Sequence, residues 1–358
     1  MTRLHLVGGF LGSGKTTAIA AAAKQLLAQG QRVGVVTNDQ GKYLVDTAFF
    51  ALQDVPAVQV SGGCFCCGYE DFAARLAELR ESARPDVIFA ESVGSCADLV
   101  ATVVKPLLSL RGIDLPPTSL SVFADARLLL RRLRGEPLPF SDDVVYVFDQ
   151  QLAEAGLVVV NKIDLLTPEQ SAELADLAAN SLSGKGLHYQ NSLDAASVAV
   201  WLEQIEHGEL ALAPTPLVID YGHYGAGEAR LAWLDEMVDI AVPTGPVREA
   251  VIMAITGIVA AIRAATPALA HAKFVVSAAD GEAKVSFTID EGDADWATAL
   301  PPLQGQLAHL LINARVEMPA AVLASVVTEA LARVPAEVTA LRSDAFHPSQ
   351  PHPRWRMA

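Results

Sequence analysis

The chain has 358 residues and is poor in cysteine, in positive charge and in long apolar runs, and each shortage removes a class of protein. Its four cysteines, Cys64, Cys66, Cys67 and Cys96, are too few to staple a chain of this size, which excludes a disulfide framework. Lysine and arginine together number 26 against 41 aspartates and glutamates, a formal net charge of −15. A phosphate-backbone partner needs a basic face, so no nucleic-acid partner is expected. No apolar run is long enough to span a bilayer. The longest helical one, between Arg248 and Arg263, is short and contains Glu249, so no membrane partner is expected. The apolar start at Leu4–Leu11 is broken by Gly8 and Gly9 and does not read as a signal peptide, which makes a cytoplasmic location the expectation. There is no internal repeat and no histidine-rich tract.

What remains is a globular composition, 51% hydrophobic and 19% charged. Short apolar runs at Leu4–Val7, Arg32–Thr37, Ala57–Val60, Asp86–Ala90, Leu120–Ala124 and Leu157–Val160 read as strands. Helical patterns at Lys15–Ala28, Tyr69–Glu81 and Pro168–Asn180 alternate with them. The alternation predicts an α/β domain over residues 1–207, a mostly parallel sheet flanked by helices. Residues 208–216, rich in Pro, Ala and Leu, read as a linker. Beyond it, strands are expected at Leu217–Tyr221, Lys273–Ser277, Lys284–Thr288 and Ala308–Arg315. Helices are expected at Val247–Ala264 and Ala320–Ala332, making a smaller α+β domain over 217–345. The proline-containing stretch 346–358 reads as a tail, with His347 and His352 solvated on it.

Gly9-Phe10-Leu11-Gly12-Ser13-Gly14-Lys15-Thr16 satisfies every fixed position of a phosphate loop, and Thr17 continues into the expected helix. Gly9, Gly12 and Gly14 let the backbone curl so that its N–H groups, with Ser13 among the nucleotide-binding positions, face a β-phosphate. Lys15 reaches the β- and γ-phosphates, and Thr16 offers a hydroxyl to Mg²⁺. An apolar strand ending in Glu91 supplies a carboxylate for the same ion. Asn161-Lys162-Ile163-Asp164 follows another strand. There Asp164 can accept the N1–H and exocyclic amine of guanine, a donor pair adenine lacks, while the Lys162 stem lies along the base. Asp39, in Thr37-Asn38-Asp39-Gln40-Gly41, is a candidate to orient the attacking water or to ligate a metal. The role of Asp125 stays open.

Cys64-Phe65-Cys66-Cys67 sits between glycines, and thiolates favour soft or borderline ions such as Zn²⁺ or Co²⁺. Cys96, five residues past Glu91, is a candidate fourth ligand. A redox dithiol and inert buried thiols are the alternatives.

Together these segments resemble the CobW/HypB/UreG group of GTPases, and within it the CobW-like branch. The resemblance rests on Gly-Gly-Phe-Leu-Gly-Ser-Gly-Lys-Thr-Thr at 8–17, Gly-Gly-Cys-Phe-Cys-Cys at 62–67, Glu91-Ser92-Val93-Gly94 and Asn161–Asp164, over about residues 1–205. Asn38, Gly41 and Asp46 keep the group's switch spacing. Asp39 stands where a Glu is usual, and Lys42 where many relatives have an acid. The resemblance implies a metallochaperone or metalloenzyme activator that couples GTP binding and hydrolysis to delivery of Zn, Co, Ni or Fe to a client metalloprotein. No arginine finger is evident, so turnover is expected to need a partner, bound metal or a homodimer formed on GTP. The competing classes are a P-loop small-molecule kinase, which needs neither Asn161–Asp164 nor the cysteines, and a redox-sensing nucleotide-binding module.

Overall fold

The computed structural model describes residues 2–39, 50, 55–61, 63–110, 117–207, 216–289 and 296–357. The chain divides into two compact units, one of residues 1–40, 46–225 and 351–358, the other of residues 41–45 and 226–350.

In the first unit, β1 (Arg3–Gly9), β2 (Val33–Asp39), β3 (Ala57–Ser61), β4 (Val87–Glu91), β5 (Pro117–Asp125), β6 (Leu157–Asn161) and β7 (Gly186–Gln190) form one parallel sheet in the order β3-β2-β4-β1-β5-β6-β7. β4 and β6 are buried from end to end. Strands covered on both faces need apolar side chains at every position, which is why their sequences are runs and not alternations. The helices begin where the local chemistry starts them. Asp125 accepts a hydrogen bond from Arg127 N at the head of the helix Ala126–Leu133. Thr167 and Gln170 form a reciprocal capping box, with Pro168 in the first turn, before Pro168–Ser181. Trp201, from the helix Ala195–His207, is fully buried edge-on to Phe123, and its Nε1 donates to Ser121 Oγ at 3.1 Å.

In the second unit, β8 (Leu231–Ala241), β9 (Leu269–Ala278), β10 (Gly281–Phe287), β11 (Leu307–Glu317) and β12 (Glu337–Phe346) form an antiparallel sheet in the order β10-β9-β11-β8-β12. The helix Arg248–Ala265 buries Val251, Ala254, Ile255, Ile258 and Ile262 on one stripe. They share a core with Leu234, Val238 and Ile240 of β8 and with Leu323 and Val327 of the helix Ala320–Leu331.

The expected strand at Leu217–Tyr221 is not formed: residues 216–220 carry no regular structure and a helix, Tyr221–Arg230, begins there. Asp220 is the reason. Its carboxylate accepts from the backbone N–H groups of Gly222 and His223, which starts a helix. β7, β8 and β12 were not anticipated. Asp235, Glu236 and Asp239 break the apolar pattern of β8, and β12 is an edge strand with mostly exposed side chains. The segment expected as a tail is packed: Arg354 N donates to Cys66 O at 2.8 Å and Met357 N to Ala101 O at 2.9 Å. The linker residues 208–215 lie outside the described residues.

Candidate nucleotide and metal site

β1 runs into a turn and then the helix Lys15–Ala28, as the phosphate-loop motif requires. Gly9, Gly12 and Gly14 all take positive φ. A Cβ at Gly9 would fall 2.2 Å from Phe123 O, and one at Gly14 2.3 Å from Asn161 Nδ2, so both positions demand glycine. Lys15 Nζ donates to Gly9 O at 2.7 Å and Phe10 O at 3.2 Å, which holds the ammonium against the loop. Thr16 Oγ1 donates to Glu91 Oε1 at 2.9 Å, so the two residues expected to hold Mg²⁺ are together. Thr17 follows in the first turn of the helix, half-buried.

The Asn-Lys-x-Asp loop leaves the end of β6. Asn161 is buried. Its Nδ2 donates to Ser13 O at 2.8 Å, and its Oδ1 accepts from Ser192 N at 3.2 Å and Ser192 Oγ at 2.8 Å. Lys162 adopts φ 65°, an uncommon conformation for a residue with a side chain. Its Nζ lies 3.3 Å from Asp125 Oδ2. Asp125, whose role was open, is therefore the residue that fixes Lys162. Burial pushes the Asp125 carboxyl up, but Arg127 and Lys162 outweigh it and hold it below the ordinary value. Asp164 lies exposed in the short turn Ile163–Leu165, open to a ligand. Ser192, after β7, was missed. Its signal was the Asn-Ser pair closing a strand.

The cysteine loop leaves the end of β3. Cys67 N and Gly68 N both donate to Cys64 O, at 3.1 and 2.8 Å, closing a tight turn ahead of the helix Tyr69–Ala83. Phe65 stacks on Phe72 with ring centroids 4.1 Å apart and anchors the turn to that helix. The sulfurs converge: Cys64 to Cys66 is 2.8 Å, Cys64 to Cys67 3.2 Å and Cys66 to Cys67 3.8 Å. Cys96 acts as a further hydrogen-bonding thiol toward Cys64 and Cys66 but lies outside the group of three whose sulfurs all sit within 4.8 Å of one another. Donation from the other three thiols holds Cys64 well below the ordinary thiol range, and that sharing keeps Cys66 above it. Tetrahedral zinc, with bonds of about 2.3 Å, sets its sulfurs roughly 3.8 Å apart. The three-sulfur group thus fits a soft ion once Cys64 and Cys66 separate by about an ångström.

Two connections join the halves of the site. Asn38, at the end of β2, donates through Nδ2 to Gly63 O at 2.7 Å and accepts at Oδ1 from Phe65 N at 3.0 Å, so the start of the expected switch segment pins the cysteine loop. The stretch Glu91–Cys96 carries Glu91 at one end and Cys96 at the other. Gln151 Nε2 braces it by donating to Gly94 O at 3.0 Å and Cys96 O at 2.9 Å. The Asp39 side chain, Gly41, Lys42 and Asp46 lie outside the described residues.

A phosphate loop, a braced Asn-Lys-x-Asp loop and a parallel sheet that carries both define the P-loop nucleotide-binding class. The chain belongs to the CobW/HypB/UreG family, whose nucleotide-binding domain matches residues 3–186. It is similar to the zinc chaperone YeiR of Escherichia coli, with 33% identity over 184 residues, 49% of this chain and 50% of that one. It is also similar to the zinc chaperone CobW of a Sinorhizobium species, with 28% identity over 200 residues, 50% of this chain and 56% of that one. The chain spans about half the length of these relatives. Among solved structures, the Zn(II)-bound YjiA GTPase from E. coli aligns over 92% of this chain and 98% of that one, with 12% identity and a TM-score of 0.36. Among the described residues, no helix is long and apolar enough to cross a membrane.

Proposed function

We propose that the protein is a metallochaperone GTPase. It binds GTP with Mg²⁺, hydrolyses it slowly, and carries Zn²⁺ or Co²⁺ to a client metalloprotein. The observation that carries this reading is the stretch Glu91–Cys96, which meets Thr16 of the phosphate loop at one end and Cys64 and Cys66 at the other. Lys15 acts on the β- and γ-phosphates, Thr16 and Glu91 hold Mg²⁺, and Asp164 with Lys162 reads guanine. Asp39 orients the attacking water or adds a ligand. Cys64, Cys66 and Cys67 hold the cargo metal, with Cys96 as the fourth ligand. The zinc-chaperone names of YeiR and CobW support the choice of cargo. A small-molecule kinase has no use for the braced guanine loop or for converging thiols.

The test titrates Co²⁺ into the nucleotide-free, GDP and non-hydrolysable-GTP forms. Typical couplings of about 1–3 kcal/mol correspond to roughly 5–150-fold differences in affinity, and GTP affinity must change by the same factor when metal binds. Equal Co²⁺ affinity in all three forms removes GTP-driven delivery. Client binding and a GTP-dependent homodimer are read in the same samples by light scattering.

A further inference from the structure

The segment Pro351–Met357 follows none of the functional motifs, yet it lies along the cysteine loop. Its backbone makes three contacts: His352 N with Cys67 Sγ at 3.3 Å, Arg354 N with Cys66 O at 2.8 Å, and Met357 N with Ala101 O at 2.9 Å. Two arginines add side-chain contacts. Arg354 Nε meets Glu70 Oε1 at 2.7 Å, but both side chains are well exposed, so that pair adds little. Arg356 is different. Its Nε meets Asp98 Oδ2 at 2.7 Å, and the Asp98 side chain is wholly buried; Arg356 Nη2 also donates to Leu217 O at 2.7 Å. Asp98 holds φ 65° and otherwise accepts from Tyr221 Oη at 2.8 Å. A buried carboxylate stripped of its cation is strongly disfavoured, so Arg356 is the anchor of the segment.

We propose that Pro351–Met357 is a strap, laid along the cysteine loop of its own chain, that governs access to that loop. The inference rests on the reading of that loop as the cargo-metal site. The strap is built for docking. It carries Arg354 and Arg356 and no acid, in a chain of net charge −15, and it meets Glu70 and Asp98. Pro351 and Pro353 restrict the free segment, which lowers the entropy lost when an extended strand docks. It crosses beside Cys67, the thiol of the three that is not fully buried. Asp98, the partner of the anchor Arg356, lies two residues beyond Cys96, so undocking loosens the stretch that also carries Glu91. A metal entering or leaving meets the strap, and a client that lifts it opens the thiols.

The test uses the full chain, a chain ending at Gln350, Arg356→Ala and Arg354→Ala. The first readout needs no metal: the rate at which N-ethylmaleimide labels each cysteine, followed by peptide mass spectrometry. The second is the rate at which a chelator withdraws bound Co²⁺. Shortening the chain and Arg356→Ala should accelerate both by about tenfold, the change that ~1.4 kcal/mol makes in a docking equilibrium. Arg354→Ala should change them little. A synthetic peptide of residues 350–358 should slow labelling of the shortened chain back toward the full-length rate. Equal labelling rates in the full chain, the shortened chain and Arg356→Ala overturn the strap. Arg356→Ala leaves the buried Asp98 without its cation, so a circular-dichroism melt accompanies it, and Arg356→Gln, which can still donate to Asp98 but carries no charge, keeps the comparison valid where either of the other variants misfolds. Failure of the full chain to bind Co²⁺ would remove the metal reading alone, because the labelling rates still decide the strap.

Discussion

The side-chain amide of Asn161 donates to the Ser13 carbonyl at 2.8 Å, which ties the Asn-Lys-x-Asp loop directly to the phosphate loop. Asn161 also accepts twice from Ser192, so one buried amide sets the spacing between the two loops. Asn161→Ala leaves these buried partners without their bonds, a loss of about 1–3 kcal/mol. GTP affinity measured by calorimetry should fall by roughly 5–150-fold. Unchanged affinity would show that the two loops keep their places without the amide.

Asp125 acts on the same loop from the next strand. Asp125→Asn keeps a cap for the helix Ala126–Leu133, since Asn caps as well as Asp, but it removes the charge that holds Lys162. GTP and GDP should both bind about tenfold more weakly, the effect of a charge-assisted contact worth ~1.5 kcal/mol. Co²⁺ binding should not change. A titration in which only the metal affinity moved would refute this role.

These two residues mark the limit of what the sequence alone reveals. The phosphate-loop turn between β1 and its helix, and the Asn161–Asp164 loop at the end of β6, were legible because each motif is a contiguous run of fixed residue types. Asp125 was not, because it pairs in register with Asn161 across β5 and β6, and only the strand order brings 36 residues of separation to adjacency. Asn38 was read as part of a switch motif, but its clamp on Gly63 and Phe65 depends on β2 lying beside β3. The helix at Tyr221 was hidden by an apolar run that Asp220 overrules. The seat of Arg356 was hidden because a proline-containing stretch signals extension and says nothing of where it docks.

Glu154 gives the first unit a pH dependence. It is fully buried, and burial, with Asp98 adding to it, pushes its carboxyl from an ordinary 4.5 up to about 8. The folded state therefore keeps a proton that the unfolded state releases. The contribution is complete below about 4.5 and is lost as pH rises through about 8. The melting temperature should decline from pH 5 to pH 8. Glu154→Gln should flatten that decline and exceed the wild type at pH 8.5 by on the order of 2 kcal/mol. Parallel declines in calorimetric scans of the two proteins would place the titrating group elsewhere.

Gly94 offers a way to separate nucleotide binding, metal binding and the coupling between them. It lies at the middle of the Glu91–Cys96 stretch, packed on the phosphate loop, where a Cβ would come within 2.7 Å of Leu11 Cδ2 and 3.0 Å of Leu11 Cα. The Leu11 side chain can yield, but its backbone cannot, so Gly94→Ala lifts the stretch away from the phosphate loop. The change replaces no residue assigned to the phosphates, Mg²⁺ or the cargo metal. GTP and Co²⁺ should each still bind, within about threefold of wild type, while the ratio of Co²⁺ affinities between GTP-analogue and GDP forms falls toward one. Cys96→Ser is the companion variant. If Cys96 is the fourth ligand, the thiolate-to-cobalt charge-transfer band should lose about a quarter of its intensity, one sulfur in four. Cys66→Ser should lose at least as much. Gly94→Ala with undiminished coupling would mean that the signal passes through Asn38 and the cysteine loop instead. The matching measurement is the same titration in Asn38→Ala, which leaves Gly63 O and Phe65 N without their partner.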